Sequence, residues 1–158
     1  MTDLATARLV LRPWSELDVK AVVEGARQPE WAADFPAEGD TVIAGVIAAT
    51  PDWLSPFGHR LIIEQATSEV VGSLGLFWPP SNGRVEIGYG VVPSRQGRGY
   101  ASEATAALTA FALELNDVHT VHANVEPANP ASARVLEKAG FTRCASTDEL
   151  ISYQRTVG

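Results

Sequence analysis

The chain has 158 residues, of which 46% are hydrophobic and 20% charged, a composition typical of one globular domain rather than of a disordered segment. The formal net charge of −7 argues against non-specific binding to a nucleic-acid backbone, because that binding needs clustered Lys and Arg. The only cysteine is Cys144, and the absence of an internal disulfide favours a reducing compartment. No stretch approaches the roughly 18 apolar residues of a membrane span. These features predict a single cytoplasmic domain over residues 1–158 that binds neither nucleic acid nor membrane.

The predicted elements alternate between strands and helices. Alternating or short apolar runs predict strands over residues 8–12, 60–65, 70–77, 84–92, 120–126, 141–143 and 150–155. Apolar residues at helical spacing predict helices that begin near Ser15, at Glu38, after Gly99 and at Asn129. Because the strands in the middle of the chain are joined by turns, this order predicts an α+β domain with a mixed, largely antiparallel sheet flanked by helices.

One segment joins the strand over 84–92 directly to the helix after Gly99. The spacing of Gly97 and Gly99 lets the backbone turn tightly and approach a ligand closely. The first amides of the following helix have no partner within it, so with the helix dipole they form a site for a phosphate or pyrophosphate. Arg95 and Arg98 add charge at its rim. An ordinary strand-to-helix turn is the alternative, and the pattern is neither a dinucleotide-binding fingerprint nor a P-loop.

Three blocks, over residues 6–13, 96–101 and 129–141, carry a resemblance to a known family. The run Gln96-Gly97-Arg98-Gly99-Tyr100-Ala101 resembles the acetyl-CoA motif of the GNAT superfamily of N-acetyltransferases, Gln/Arg-x-x-Gly-x-Gly/Ala. The first block is similar to the opening strand of the RimJ/RimL-like branch, and the third to its Asn-x-x-Ser helix and closing Gly-Phe. The resemblance implies a GNAT fold, in which two neighbouring strands splay to admit the pantetheine arm of acetyl-CoA.

The resemblance also implies which residues bind acetyl-CoA, the expected co-substrate; no metal is expected. Backbone groups of Val91 and Val92 would hydrogen-bond the pantetheine arm. Asn129 would contact the same arm, with a plain helix N-cap as the alternative. The pyrophosphate would lie against the loop formed by Gln96, Gly97, Arg98, Gly99, Tyr100 and Ala101.

The implied reaction is direct attack of a neutral amine on the thioester carbonyl, without a covalent enzyme intermediate. Such a reaction needs a donor for the oxyanion, and a backbone amide near Val91 is expected to supply it. Ser132 matches the serine of the family motif, which would act as general acid for the leaving thiolate. The alternative is a first-turn helix serine that bonds to the backbone.

The general base is the least determined part of the predicted catalytic set. Some relatives place a glutamate on the strand before the Asn-x-x-Ser helix, where this chain has Asn124, so direct carboxylate catalysis is in doubt there. Glu86 on one strand, and His122 and Glu126 on another, are further candidates that could act through water. Each of them also fits a solvated strand residue.

Neighbouring residues give three more expectations. Tyr89 shares the apolar face of its strand, which predicts packing in the core. Asp34, Glu38 and Asp40 could attract a cationic amine, but a solvated acidic face is the default interpretation. Gly90 stands where relatives often carry a bulky aromatic residue, which leaves more space beside the expected acetyl group.

The leading functional hypothesis is an N-acetyltransferase that acts on a protein N-terminus or a small amine. A non-catalytic acyl-CoA-binding sensor and an unrelated nucleotide-binding domain are the alternatives. Homodimers occur in the family, but no feature of the sequence predicts a self-complementary surface.

Overall fold

The computed structural model describes residues 2–157, and within them eight strands form one sheet in the order β1-β2-β3-β4-β5-β6-β8-β7. The strands are β1 (Leu4–Ala5), β2 (Leu9–Pro13), β3 (His59–Glu64), β4 (Glu69–Leu76), β5 (Arg84–Val91), β6 (Thr120–Val125), β7 (Thr142–Ser146) and β8 (Ile151–Thr156). The helices are α1 (Glu16–Glu24), α2 (Glu38–Ala49), α3 (Tyr100–Leu113) and α4 (Pro130–Lys138). Short 3-10 turns cover Pro51–Trp53 and Pro93–Arg95.

The sheet is antiparallel at every pairing except that of β5 with β6, which is parallel. This pairing is parallel because the connection from β5 to β6 runs through α3, which crosses from one end of the sheet to the other. The prediction of an α+β fold with a mixed, largely antiparallel sheet is therefore confirmed.

The pairing of β5 with β6 ends well before either strand does. The two strands are in register only over Arg84–Glu86 of β5, although β5 continues to Val91 and β6 to Val125. The rest of β5 therefore has a ladder partner on its β4 side alone. This divergence is the splay that the resemblance implies, and it opens a gap in the middle of the sheet.

Hydrogen bonds at the two ends of β5 show which backbone groups face the gap. The amide of Phe77 donates to the carbonyl of Glu86 (2.9 Å), and the amide of Val92 donates to the carbonyl of Val71 (2.9 Å). In an antiparallel ladder such bonded pairs alternate, so the even-numbered residues of β5 direct their backbone groups toward β4. Tyr89 and Val91 therefore direct theirs toward the gap.

The helices cover the sheet with apolar faces. Helix α3 lies across β2, β4, β5 and β6 and contributes Ala104, Leu108 and Ala112 to the core, all without exposed surface. Helix α4 lies beside α3 and buries Leu136. Helix α1 begins at Ser15, whose hydroxyl accepts the amide of Asp18 at 3.1 Å. Within residues 2–157, no helix is long and apolar enough to cross a membrane.

The edges of the sheet are where the sequence-based boundaries differ most. Strand β1 was not predicted, because two residues are too short for a periodic pattern. Strand β7 runs to Ser146, beyond the predicted end at Arg143. Its five side chains are all exposed at the sheet edge, so no apolar alternation marks it in the sequence.

Candidate active site

The glycine loop adopts a conformation that only glycine takes readily. Gly97 has φ of 80° and Gly99 has φ of 82°, both in the left-handed region. Gly99 is the N-cap of α3, and no side chain in the described part of the chain caps this helix, whereas Ser15 and Asn129 cap α1 and α4. The first-turn amides of α3 therefore stay available to an anion.

An open cavity of about 510 Å³ adjoins this loop and is bounded by β5, α3 and α4; we call it the loop cavity. Its walls include the predicted residues Val91, Gln96, Gly97, Gly99, Tyr100, Ala101, Asn129 and Ser132. Arg134 and Lys138 of α4 also line it and add positive charge that sequence reasoning missed. Their spacing of four residues on one helical face is the signal that could have revealed them.

Val91 and Val92 differ in what they offer a ligand. The amide of Val91 faces the gap, and its carbonyl accepts Nε2 of Gln96 at 2.9 Å. Val92 is fully buried, and besides its bond to β4 its carbonyl accepts the amide of Arg95 at 3.0 Å. Both backbone groups of Val92 thus have partners within the chain. The geometry supports the predicted pantetheine contact for Val91 and argues against it for Val92.

A buried carboxylate on β3 holds the side chains of the glycine loop in place. Glu64 of β3, 2% exposed, accepts Nε of Arg95 (3.2 Å), Nη1 of Arg98 (3.2 Å) and the hydroxyl of Tyr100 (2.7 Å). Burial alone would raise the pKa of Glu64, but hydrogen bonds from Tyr100, Thr67 and Arg95 outweigh it and lower the pKa to about 2. Arg95 lines the loop cavity, as the predicted charge at its rim requires, and both arginines are also paired with the Glu64 carboxylate. Arg98 lies outside the loop cavity walls.

Replacing Glu64 by glutamine tests this anchor. We expect E64Q to lower the free energy of unfolding at pH 7 by about 2 kcal/mol, because the guanidinium groups lose their charged partner. The folded-state pKa lies below the ordinary value of 4.5, so the stabilisation is complete above that pH and is lost as pH falls toward about 2. Urea unfolding should therefore show a difference between wild type and E64Q that narrows in acid. E69Q, at a more exposed partner of Arg95, is the control, and equal losses in both variants would contradict the anchor.

Tyr89 and Ser132 form a hydroxyl pair at the wall of the loop cavity. The Tyr89 hydroxyl lies 2.6 Å from Oγ of Ser132 and donates to the Ser132 carbonyl at 3.0 Å. Tyr89 packs against the core, as predicted, and its hydroxyl makes this contact in addition. Burial raises the pKa of Tyr89, so its hydroxyl keeps its proton at neutral pH. The Ser132 amide donates to Oδ1 of Asn129 at 3.2 Å, so Asn129 caps α4 and lines the cavity as well.

A second cavity, of about 500 Å³, opens on the other face of the sheet, between the start of α2 and strands β3 to β5; we call it the helix cavity. Its walls share Tyr89, Gly90 and Val91 with the loop cavity. Gly90 is open, since a Cβ built there would meet no atom within 4 Å. The two cavities therefore meet at the end of β5 that pairs with β4 but not with β6.

Of the three acidic residues predicted to form a solvated face, Asp40 is the one that the structure buries. Asp40 is 4% exposed, accepts the amide of Ala37 at 2.9 Å and accepts a hydrogen bond from the hydroxyl of Ser73. Burial raises the pKa of Asp40. Asp34 instead accepts the amide and hydroxyl of Ser94, both at 2.8 Å, and the backbone bond lowers the pKa of Asp34. Glu38 is exposed.

The predicted candidates for the base lie apart from Ser132. Glu86 stands opposite His122 in the paired part of the sheet, four residues and about 13 Å along β5 from Gly90. Asn124 is exposed, and its Oδ1 accepts the hydroxyl of Ser152 at 2.7 Å. None of Glu86, His122, Asn124 and Glu126 is part of either cavity wall. A role for Glu86 or Asn124 in catalysis stays a prediction that this geometry does not favour.

Comparison with known proteins decides the family. A family model described as an acetyltransferase (GNAT) domain matches residues 8–142. The chain belongs to the GNAT acetyltransferase family. Among curated relatives, the uncharacterised N-acetyltransferase p20 of Bacillus licheniformis is 35% identical over 83 residues, which is 52% of this chain and 47% of that protein. The uncharacterised N-acetyltransferase YoaA of Bacillus subtilis (strain 168) is 27% identical over 89% of this chain and 82% of its own length.

The GNAT fold extends over nearly the whole domain. RimL, described as a ribosomal L7/L12 α-N-protein acetyltransferase in complex with coenzyme A, superimposes with a TM-score of 0.72 over 99% of this chain and 98% of its own. The two sequences are 21% identical, so the likeness establishes the fold. The match to p20 spans about half of that relative's length. Membership in the GNAT family is therefore established, whereas the RimJ/RimL-like branch stays a prediction, because RimL is one of several structural neighbours.

Proposed function

We propose that this GNAT domain transfers an acetyl group from acetyl-CoA to a primary amine by direct attack. The observation that carries the proposal is the meeting of two cavities from opposite faces of the sheet at Tyr89, Gly90 and Val91. A thioester held in the loop cavity and an amine held in the helix cavity would come together at this point, which is the arrangement that direct transfer requires.

The loop cavity offers the positive charge and the open backbone that binding of coenzyme A needs. Amides from Gly97 to Ala101 would bind the pyrophosphate, and Arg134 and Lys138 supply positive charge nearby. A Cβ at Gly97 would meet no atom within 4 Å, so the backbone is open to close approach of a ligand. The carbonyl of Val91, which has a second lone pair beside its bond from Gln96, and Asn129 would hold the pantetheine arm. GNAT acetyltransferases use acetyl-CoA, and the RimL neighbour is described in complex with coenzyme A.

The residues at the meeting point have the groups that the chemistry needs. The amide of Val91 would donate to the carbonyl oxygen as negative charge develops on it. The hydroxyl pair of Tyr89 and Ser132 would hold a proton for the departing sulfur. Because Tyr89 supports Ser132 directly, the proton donor is a pair of hydroxyls rather than an isolated serine.

The acceptor is proposed as a protein N-terminus or a small amine. Structural neighbours named for their substrates cover both classes: RimL, a spermidine N-acetyltransferase chimera, and an aminoglycoside acetyltransferase in complex with kanamycin. These neighbours are at most 21% identical to the chain, so their names support the amine class and no single acceptor.

Thiol release from acetyl-CoA across a panel of peptides and small amines tests the proposal, with coenzyme binding followed by calorimetry. We expect binding of coenzyme A and turnover of at least one amine. Binding without turnover of any amine would favour an acyl-CoA sensor. Competition by ATP but not by coenzyme A would indicate a nucleotide-binding domain.

The homodimer and the cytoplasmic location stay predictions.

A further inference from the structure

We infer that Asp40, held by Ser73, is the general base of the reaction: it binds the ammonium group of the acceptor in the helix cavity and takes its proton. This inference rests on the proposed function and deepens it, because it assigns the base and the chemical class of the acceptor. Neither residue belongs to a motif in the sequence, and it is the packing of α2 on the sheet that brings them together.

The position of Ser73 places Asp40 beside the meeting point of the two cavities. Ser73 of β4 is directly opposite Gly90 of β5 in the register of the sheet. In a bonded antiparallel pair the two Cα atoms lie about 5.5 Å apart, and the two residues share one face. The hydroxyl of Ser73 donates to the Asp40 carboxylate across that face. Since Gly90 has no side chain and open space above it, an amine can reach the gap beside this pair.

The surroundings of Asp40 favour an ammonium ion. A carboxylate that is 4% exposed attracts a cation more strongly than a solvated one, because the local dielectric is low. Ala37 and Ser73 each donate one hydrogen bond to Asp40, and a carboxylate has further lone pairs for the ammonium group. Burial raises the pKa of Asp40, so its carboxylate is a stronger base than that of an exposed aspartate.

The other ionisable groups that line the helix cavity are Glu38 of α2, His59 of β3 and Tyr89 of β5. His59 is 2% exposed and lies against the rings of Trp53 and Phe77. Burial lowers the pKa of His59 to about 4, so the imidazole is neutral near pH 7 and does not repel a cation. Glu38 is exposed and adds negative charge at the mouth.

The remaining wall is mostly apolar, with Val42, Ile43, Leu74 and Phe77 among the lining residues. Asp40 is the one buried carboxylate among the residues that line the helix cavity. The structure therefore fits a primary ammonium group carried on an apolar body, such as an arylalkylamine or a peptide N-terminus with an apolar first residue. A polyamine would place its further charges against apolar side chains at a desolvation cost.

The proton balance of the transfer follows from this assignment. The ammonium group gives one proton to Asp40, and the freed nitrogen bonds to the carbonyl carbon. The carbon–sulfur bond breaks, its electron pair leaves with sulfur, and sulfur takes a proton from the Tyr89–Ser132 pair. The nitrogen releases its second proton to solvent, the hydroxyl pair regains one proton from solvent, and Asp40 returns its own proton to solvent.

The test compares D40N, S73A and wild type in the pH dependence of kcat/KM, with an arylalkylamine and with spermidine as acceptors. We expect the arylalkylamine to be preferred by wild type and D40N to lower kcat/KM by about 100-fold with a coenzyme Kd unchanged within about 2-fold. Protonation of Asp40 should lower kcat/KM at low pH in wild type, and this acidic limb of the pH profile should be absent in D40N. In S73A it should move to higher pH, because the lost hydrogen bond lowers the pKa of Asp40 in wild type.

The matched control is D52N, the same substitution at an exposed aspartate outside both cavity walls; we expect a change in kcat/KM below about 3-fold. Full activity of D40N with an unchanged pH profile would overturn the inference alone. An equal fall of kcat/KM in D52N and D40N would overturn it too, because the loss would then follow net charge rather than the buried carboxylate. A wild-type protein that turns over no amine would overturn the proposed function together with the inference. If D40N does not fold, the pH profile of S73A becomes the test. A shift of its acidic limb to higher pH supports the inference, and an unchanged profile overturns it.

Discussion

Replacing Gly99 by valine is expected to weaken coenzyme A binding by about 100-fold or more while the domain stays folded. Valine at φ of 82° is strained, and relief of that strain rotates the peptide groups that begin α3. The amides that would hold the pyrophosphate then no longer converge. Calorimetry with coenzyme A gives the affinity, and circular dichroism during thermal unfolding reports the fold.

Gly25 provides the control for backbone strain. It ends α1 with φ of 75°, has no atom near its missing Cβ, and lies outside both cavity walls. G25V should cost about 1–2 kcal/mol of stability, as G99V should, but leave the coenzyme Kd unchanged. Undiminished coenzyme binding by G99V would remove the loop from the proposed site. A parallel loss of affinity in G25V would attribute the effect to general destabilisation.

Removing either hydroxyl of the Tyr89–Ser132 pair is expected to lower kcat by about 100-fold and to change coenzyme affinity far less. S132A removes the group next to the expected sulfur, and Y89F removes its partner 2.6 Å away while keeping the ring in place. Thiol release under saturating acetyl-CoA gives kcat, and calorimetry gives the coenzyme Kd for the same variants.

The double variant separates a pair that acts as a unit from two independent effects. Groups that act together give a double variant about as slow as either single variant, whereas independent groups multiply their losses. We expect the first pattern for Y89F/S132A. Ser102, which lies on α3 and lines the same cavity, supplies the matched hydroxyl removal, since S102A should stay within about 3-fold of wild type. Normal turnover in S132A would exclude an acid role for Ser132.

Local patterns in the sequence were sufficient for most of the fold. Alternation in β5, the apolar stripe of α3 and the Asn129–Pro130 start of α4 each depend on residues close together in the chain, and all three elements are present. Strand β7 was only partly predicted, because its side chains are exposed and carry no apolar pattern. The glycine loop was also located from the sequence, since two left-handed positions before a helix require glycine at both.

The polar partners of the site could not be predicted in the same way. Asp40 meets Ser73 across 33 positions, Glu64 meets Tyr100 across 36, and Tyr89 meets Ser132 across 43. Each contact depends on how a helix or loop packs on the sheet. Patterns among residues close together in the chain do not show that packing. For the same reason, the sequence does not show that Arg95 and Arg98 share the Glu64 carboxylate.

The splayed end of β5 also determines how ligands reach and leave the proposed site. The loop cavity opens on the face covered by α3 and α4, and the helix cavity opens on the face of α2. Two ligands can therefore enter through separate openings, be bound at the same time, and dissociate independently of each other. For the proposed acetyl transfer, this layout predicts a ternary complex and sequential kinetics, since neither reactant would have to leave before the other arrives.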